Sequence, residues 1–161
     1  MVEFEPCPKI PRLNRSCVIS EKIDGTNAQI IISEDGSIVA ASRSRLITPE
    51  DDNFGFAKWV RDNADELMSL GVGRHFGEWW GAGIQRRYGQ DRKRFSLINA
   101  ARWSEARPSC CDIVPVLYAG LFSTEAVEGC IRQLRESGSV AAPGFMNPEG
   151  VIVWHDAARV G

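Results

Sequence analysis

Lys22 is the residue of this 161-residue chain whose type and setting best suit nucleophilic chemistry. It follows Glu21 at the end of an apolar run and precedes Ile23-Asp24-Gly25, so a strand that ends in an Asp-Gly turn would hold its amine rigidly. An amine attacks the phosphorus of a nucleotide only after it has lost its proton. The two neighbouring carboxylates stabilise the charged ammonium, so this chemistry requires nearby arginines and a divalent ion. The alternative is an ordinary strand end with a solvated lysine.

Arginine supplies most of the positive charge of the chain and is the best candidate for those cations. Arg43 and Arg45 directly follow the third predicted strand, and a basic stretch runs from Arg86 and Arg87 to Arg94. The forked guanidinium group suits phosphate oxygens, which favours a phosphate-facing patch over the alternative of a solvated loop. The net charge of −2 argues against a general polyanion-binding protein.

The elements that must position these residues are short strands with two inserted helices. Strands are predicted over residues 17–23, 26–33 and 37–42, and Gly36 marks a hairpin turn between the second and third. Helices are predicted over 54–70, capped by Asp52 or Asn53, and over 124–136, capped by Ser123 or Thr124. Further strands are predicted over 74–80, 95–100, 113–118 and 150–155. This pattern predicts an α+β fold with mainly antiparallel sheets.

Composition narrows the class of protein further. The hydrophobic fraction of 43% and charged fraction of 25% are typical of a soluble globular protein, and no apolar run is long enough to span a bilayer. The amino terminus lacks the pattern of a secretory signal, so a cytoplasmic protein is expected. Five cysteines without a Cys-x-x-Cys pair indicate free thiols, and His75 and His155 are too few for a zinc site.

Five segments, taken in order along the chain, resemble motifs of the RNA ligase family. This family belongs to the covalent nucleotidyltransferase superfamily, which also contains DNA ligases and mRNA-capping enzymes. The first segment, residues 21–27, resembles the motif whose lysine becomes adenylated. The others are residues 42–45, 76–81, 95–99 and 147–153. Because each segment alone is a weak signal, the assignment depends on their order and spacing.

The resemblance implies a nucleotidyltransferase fold, an ATP-grasp-like ligase adenylation domain that occupies residues 1–161 as a single domain. It also implies ATP as substrate, with Mg²⁺ or Mn²⁺, and RNA ends as partners in RNA repair. Lys22 would form lysyl-AMP with release of pyrophosphate. The AMP would pass to an RNA 5′-phosphate, and a 3′-hydroxyl would then seal the strand.

Roles for individual residues follow from the same resemblance. Glu78 is expected to hold the ribose and the ring of Phe95 to stack on adenine, since a flat apolar face suits the base. A divalent ion is expected near Glu149 and Asp24. The remaining nucleotide contacts are assigned to Glu21, Ile23, Asn27 and Arg43, and the RNA contacts to Arg45, Arg86 and Arg87.

One part of the family pattern has no clear equivalent in this sequence. The last motif of the family carries a lysine that touches the α-phosphate, whereas here no lysine follows Lys93 and Arg159 is the candidate substitute. The chain is therefore expected to be truncated at its carboxyl end. The alternatives are a catalytically impaired module of the same fold that binds nucleotide or RNA ends, and a relative of the DNA ligases or the capping guanylyltransferases.

Overall fold

The computed structural model describes residues 15–155 of the chain as nine strands and four α-helices. The strands are β1 (Ser16–Lys22), β2 (Thr26–Ile32), β3 (Ile38–Ser42), β4 (Leu46–Ile47), β5 (Gly73–Gly81), β6 (Lys93–Leu97), β7 (Cys111–Ile113), β8 (Val116–Leu121) and β9 (Gly150–His155). The helices are α1 (Phe56–Asp62), α2 (Ala64–Leu67), α3 (Ala100–Trp103) and α4 (Thr124–Ser137). Short 3-10 helices cover Met68–Leu70 and Arg87–Gly89.

The strands form two sheets that share no strand within the described residues. The larger sheet has the order β4-β3-β2-β5-β6-β7, and the smaller has the order β8-β1-β9. Every neighbouring pair is antiparallel except β6 and β7, which are parallel. The predicted α+β class with mainly antiparallel sheets is therefore confirmed.

The main core lies on one face of the larger sheet. Along β2, the buried residues Ala28, Ile30 and Ile32 alternate with more exposed ones, as expected for a strand with one face in the core. Phe56 and Val60 of α1 pack against this face. The hairpin predicted between β2 and β3 is present, and Gly36 has the positive φ of 82° that its turn requires.

The predicted helix over 54–70 is interrupted, because the structure divides it into α1, α2 and a 3-10 helix. The break lies at Asn63, whose φ of −116° is not helical and whose side-chain amide donates to the carbonyl of Trp59. Gly55 and not Asp52 or Asn53 occupies the N-cap position of α1, although the carboxylate of Asp52 accepts from the backbone N–H groups of Ala57 and Lys58 in the first turn. Helix α4 and its cap at Ser123 match the prediction.

Two predicted strands end earlier than expected. The strand predicted over 95–100 stops at Leu97, and Asn99 then caps the short helix α3 by accepting from the N–H of Arg102. The strand predicted over 113–118 is divided at Pro115 into β7 and β8, which belong to different sheets. Pro115 lies in the gap between the two strands, where it has no N–H to donate and its carbonyl accepts from the N–H of Glu21 at 2.9 Å.

Two further findings concern the described residues as a set. None of their helices is long and apolar enough to span a membrane. No disulfide joins the four cysteines that lie among them. Cys7 and Arg159, both named in the sequence analysis, lie outside the described residues.

Candidate active site

A cavity of about 320 Å³ lies where the ends of the two sheets meet. This volume is at the lower end of the range of small-molecule sites, about 300–1,000 Å³. The walls come from β1, β2, β5 and β9 and from the loops that follow β1 and β6. The lining residues are Ser20, Glu21, Lys22, Ile23, Asp24, Gly25, Asn27, Glu78, Ile98, Val114, Glu149, Ile152 and Trp154.

Lys22 and Glu149 meet on one wall of this cavity. Lys22 is the last residue of β1 and pairs with Gly150, the first residue of β9, so Glu149 lies beside it. The Lys22 amine donates to Oε1 of Glu149. Half of the Lys22 side chain is exposed, at 49%, so the amine remains open to a molecule that enters the cavity.

Glu78 approaches the cavity from the other sheet. It lies on β5 opposite Asn27 of β2. Its carboxylate accepts from the N–H of Gly25 at 3.1 Å and from the side-chain amide of Asn27 at 3.3 Å. Burial raises the pKa of Glu78 to about 7, and the charges of Glu149 and Asp24 act in the same direction. The site therefore concentrates acidic groups around a single lysine.

The turn after Lys22 is fixed by close packing and by a buried tyrosine. A Cβ atom at Gly25 would lie 2.4 Å from the carbonyl oxygen of Trp79 and 2.7 Å from the Cβ of Trp80, so only glycine fits there. The N–H of Asp24 donates to the hydroxyl of Tyr88 at 2.8 Å. Tyr88 is buried although its φ is +50°, which is strained for a residue with a side chain. These contacts hold the backbone next to Lys22.

The carboxylate of Glu21 is buried and accepts hydrogen bonds from other parts of the protein. Its side chain is 1% exposed and accepts from the hydroxyl of Ser139 at 2.6 Å, the N–H of Val140 at 2.9 Å and the N–H of Ala141 at 3.0 Å. The acceptor atoms of this side chain are therefore engaged within the protein, while Glu21 itself lines the cavity and its predicted nucleotide contact stays a prediction. Glu21 anchors the segment that leads from α4 to Glu149.

Phe95 was predicted to stack on adenine, and its position is wrong for that role. The ring is fully buried in the main core, where it packs against Phe56 and Trp59. It also covers Gly77, where a Cβ would lie 2.3 Å from the ring. Because side chains alternate along β6, the cavity wall is formed by Ile98, three residues further on.

The predicted arginines lie around the cavity and do not line it. Arg43 is exposed and follows Ser42, which pairs with Ala28, next to the cavity residue Asn27. The Nε of Arg86 lies 3.7 Å from the carboxylate of Asp24, at the cavity edge. Arg45 is bound to Asp51 at 2.6 Å, and Arg87 is exposed. Thus Arg86 lies beside a residue that lines the cavity, whereas Arg45 already has an acidic partner.

The carboxylates at this site could hold a divalent ion only if a substrate supplied further oxygen ligands. Asp24, Glu78 and Glu149 supply the carboxylate oxygens that Mg²⁺ and Mn²⁺ prefer. Within residues 15–155, however, no three acidic, histidine or cysteine side chains cluster closely enough to hold an ion. Mg²⁺ commonly binds one or two carboxylates and completes its shell with water and phosphate oxygens, so the donor set fits an ion that arrives with a nucleotide.

Several residues of the site had no role in the sequence analysis. Ile98, Val114, Ile152 and Trp154 give the cavity its apolar walls, and the indole of Trp154 donates to the hydroxyl of Ser20 at 3.2 Å. Ser139 was not identified, because nothing near it in the sequence indicates a partner more than a hundred residues away. Ile98 and Ile152 could have been identified, because each lies inside one of the motif-like segments.

Comparison with known proteins agrees with the architecture described above. A family model described as RNA ligase matches residues 15–159. A search of curated proteins gave no significant match. Among solved structures, the Naegleria gruberi RNA ligase with PPi aligns with a TM-score of 0.66 and 16% identity, over 91% of this chain and 48% of that chain.

Structures of variants of the same ligase give similar values. One variant with ATP and Mn aligns with a TM-score of 0.65 and 17% identity over 88% of this chain and 46% of that chain. Another, with AMP and Mn, aligns with a TM-score of 0.64 and 15% identity, over 89% of this chain and 47% of that chain. This chain therefore spans about half the length of those proteins and shares their fold. Because the family model covers nearly all of the sequence, the chain belongs to the RNA ligase family.

Proposed function

We propose that this chain is the adenylation domain of an ATP-dependent RNA ligase and that Lys22 is its nucleophile. The observation that carries the proposal is the meeting of Lys22, Glu149 and Glu78 around one cavity with apolar walls. Membership of the RNA ligase family supports it, as do the structures of the Naegleria gruberi ligase with ATP, AMP and Mn. Little acid–base chemistry is needed from the protein, so positioning and charge stabilisation would supply most of the rate.

In the first step, the Nζ atom of Lys22 would attack the α-phosphorus of ATP. A nitrogen–phosphorus bond forms, the bond to the bridging oxygen breaks, and pyrophosphate leaves with its electron pair. Glu149 accepts a hydrogen bond from the Lys22 amine and would orient it, and the amine would lose its proton to solvent before the attack. A divalent ion bound by Glu149 and Asp24 together with the phosphates would neutralise charge on the triphosphate.

The rest of the cavity offers suitable surfaces for the nucleoside. Glu78 presents carboxylate oxygens to which ribose hydroxyls can donate. Ile98 and Ile152 provide apolar surfaces for adenine, taking the part first assigned to Phe95. Arg43, an exposed residue directly after β3, is the proposed contact to a phosphate.

The later steps concern RNA ends. An oxygen of the RNA 5′-phosphate would attack the phosphorus of lysyl-AMP and release Lys22, forming a phosphoanhydride. A 3′-hydroxyl would then attack the activated 5′-phosphate, AMP would leave, and a phosphodiester bond would join the strands. Arg45, Arg86 and Arg87 are the proposed contacts to the RNA backbone, of which Arg86 lies closest to the cavity.

The decisive experiment is intact-mass measurement after incubation with ATP and Mg²⁺. The wild-type chain should gain one AMP, and both Lys22→Ala and Lys22→Arg should gain none. An exposed lysine on α1, Lys58, provides the matched control, since Lys58→Ala should still be adenylated. Parallel incubations with GTP and NAD test the capping-enzyme and DNA-ligase alternatives. ATP binding without covalent AMP in the wild type would refute the proposed reaction and select the binding-module alternative.

A further inference from the structure

The larger sheet has an open face that continues beyond the cavity. On this face β5 presents Arg74, Phe76 and Glu78 in alternation, and their partners on β2 are Ile31, Gln29 and Asn27. Glu78 and Asn27 line the cavity, while Phe76 and Arg74 lie on the same surface outside it. We refer to Phe76, Gln29 and Arg74 as the sheet platform. It is continuous with the proposed adenylation site.

Phe76 is the most distinctive residue of the sheet platform. It is 52% exposed at the centre of a six-stranded sheet, so about half of its surface is open to a bound molecule. Its carbonyl accepts from the N–H of Ile98, and Ile98 forms part of the cavity wall. The ring is therefore one strand spacing from Ile98 and two residues from Glu78. A flat molecule stacked on this ring would lie at the cavity mouth.

Two polar residues lie beside Phe76 on this face, and the exposed one, Arg74, offers a contact to such a molecule. The side-chain oxygen of Gln29 is buried and has no hydrogen-bond partner within the described part of the chain. Its amide group is held by the carbonyl of Ser42 at 3.3 Å. Arg74 is exposed on the same face, and no ion pair with another described residue involves it. Together they combine an aromatic surface with a cation for phosphate.

We propose that the sheet platform binds the terminal nucleotides of single-stranded RNA next to the adenylation site, with one base stacked on Phe76 and a phosphate contacted by Arg74. This inference rests on the proposed function, because it identifies where the RNA end lies before the reaction. Exposed aromatic rings on sheets bind bases by stacking, which tolerates any sequence because every base has a flat face. An aromatic ring beside an arginine and a nucleotide-sized cavity matches this chemistry better than that of a protein partner, which would require a broader apolar area.

The test measures RNA binding directly. Fluorescence anisotropy with a 5′-phosphorylated single-stranded RNA of about ten nucleotides, labelled at its 3′ end, would be recorded for the wild type and for Phe76→Ala, Phe76→Leu and Phe76→Trp. We expect the alanine and leucine variants to bind about 5- to 150-fold more weakly, whereas tryptophan retains binding because it preserves the flat ring. Equal affinity of Phe76→Ala and the wild type, or no measurable binding by the wild type, would overturn the inference.

Phe54 provides a matched control, because it is 49% exposed and lies on the opposite side of β5. Its carbonyl accepts from the indole of Trp79, a residue on the core face of that strand. Phe54→Ala should therefore leave RNA affinity unchanged, and an equal loss in both variants would count against a specific platform. Arg74→Gln should make RNA binding less dependent on salt.

Covalent AMP formation by the wild type is measured on the same preparations. If the wild type forms no lysyl-AMP but Phe76→Ala loses RNA affinity, the proposed reaction fails and the platform stands. If lysyl-AMP forms and RNA affinity is the same in both proteins, the platform fails and the proposed reaction stands.

Discussion

Glu21 and Ser139 are 118 positions apart in the sequence, yet their side chains share a hydrogen bond of 2.6 Å in the protein interior. Glu21 precedes the proposed nucleophile, and Ser139 begins the segment that leads to Glu149. One buried carboxylate thus ties the two halves of the proposed catalytic pair to each other. The first prediction tests this link.

Glu21→Ala should lower both stability and adenylation. Removing the carboxylate leaves the hydroxyl of Ser139 and the N–H groups of Val140 and Ala141 without their acceptor. We expect a decrease of about 2–4 kcal/mol in the free energy of unfolding, measured with urea. Glu21→Gln keeps the shape but places an NH₂ group against donors, so we expect it to reduce the rate of AMP attachment as well.

Glu128→Ala, on the exposed face of α4, is the control that should behave as wild type in both assays. A stable and fully active Glu21→Ala would show that the hydrogen bonds of this carboxylate are dispensable.

The raised pKa of Glu78 predicts an unusual dependence of stability on pH. Burial raises this pKa from 4.5 to about 7 in the folded chain. Between these two values the folded state binds more protons than the unfolded state, so the contribution of Glu78 to stability falls as pH rises from about 4.5 to about 7. The glutamine of Glu78→Gln is neutral at every pH, so this variant lacks the pH-dependent contribution to stability. Its stability relative to wild type should therefore increase by about 1–3 kcal/mol between about pH 5 and about pH 8.

Urea unfolding of both proteins over that pH range measures the difference in the free energy of unfolding, and contributions from groups that both chains retain cancel. A difference between the proteins that does not vary with pH would show that Glu78 ionises normally.

Ile98 and Phe95 should respond differently to substitution, because one lines the cavity and the other fills the core. Ile98→Ala should weaken ATP binding by about tenfold through loss of apolar contact with the base, with a smaller effect on unfolding. Phe95→Leu should lower the free energy of unfolding by about 1–3 kcal/mol, because it leaves space beside Phe56 and Trp59. Isothermal titration with ATP and urea unfolding distinguish the two effects. The reverse pattern would restore Phe95 as the adenine contact.

Gly25 and Gly129 form a matched pair for testing the turn after Lys22. Gly25→Ala would place a methyl group against the backbone of Trp79, so it should destabilise the fold by at least about 2 kcal/mol and abolish AMP attachment. Gly129 lies within α4, where an added Cβ meets no atom within 4 Å. Gly129→Ala should therefore raise stability by about 0.5–1 kcal/mol. Thermal unfolding of both variants measures this contrast, and a stable Gly25→Ala variant would disprove the steric argument.

Local signals predicted most of the fold. Gly36 marked its hairpin, Ser123 marked the start of α4, and β9 followed from an apolar run after Gly150. These features depend on residues a few positions apart, which the sequence displays directly. The break at Asn63 was not predicted, because the apolar spacing over 54–70 suits one continuous helix and the interruption depends on packing.

The site was predicted less completely than the fold. The cavity contains Lys22, Asp24, Asn27, Glu78 and Glu149, all from the motif-like segments. Phe95 was misplaced because its role came from the resemblance alone, whereas along β6 Phe95 and Leu97 alternate with Arg94 and Ser96 and both lie in the core. The hydrogen bonds of the Glu21 carboxylate were not predicted, because its partners lie far along the chain.

The two sheets share no strand within the described residues, and the proposed site divides its groups between them. Lys22 belongs to the smaller sheet and Glu149 directly precedes its strand β9, whereas Glu78 and Asn27 belong to the larger. A nucleotide that contacts both pairs would act as a non-covalent cross-link between two otherwise separate hydrogen-bonded units. Its binding should slow amide hydrogen exchange in β1 and β5 together, so that the substrate becomes part of what holds the domain rigid.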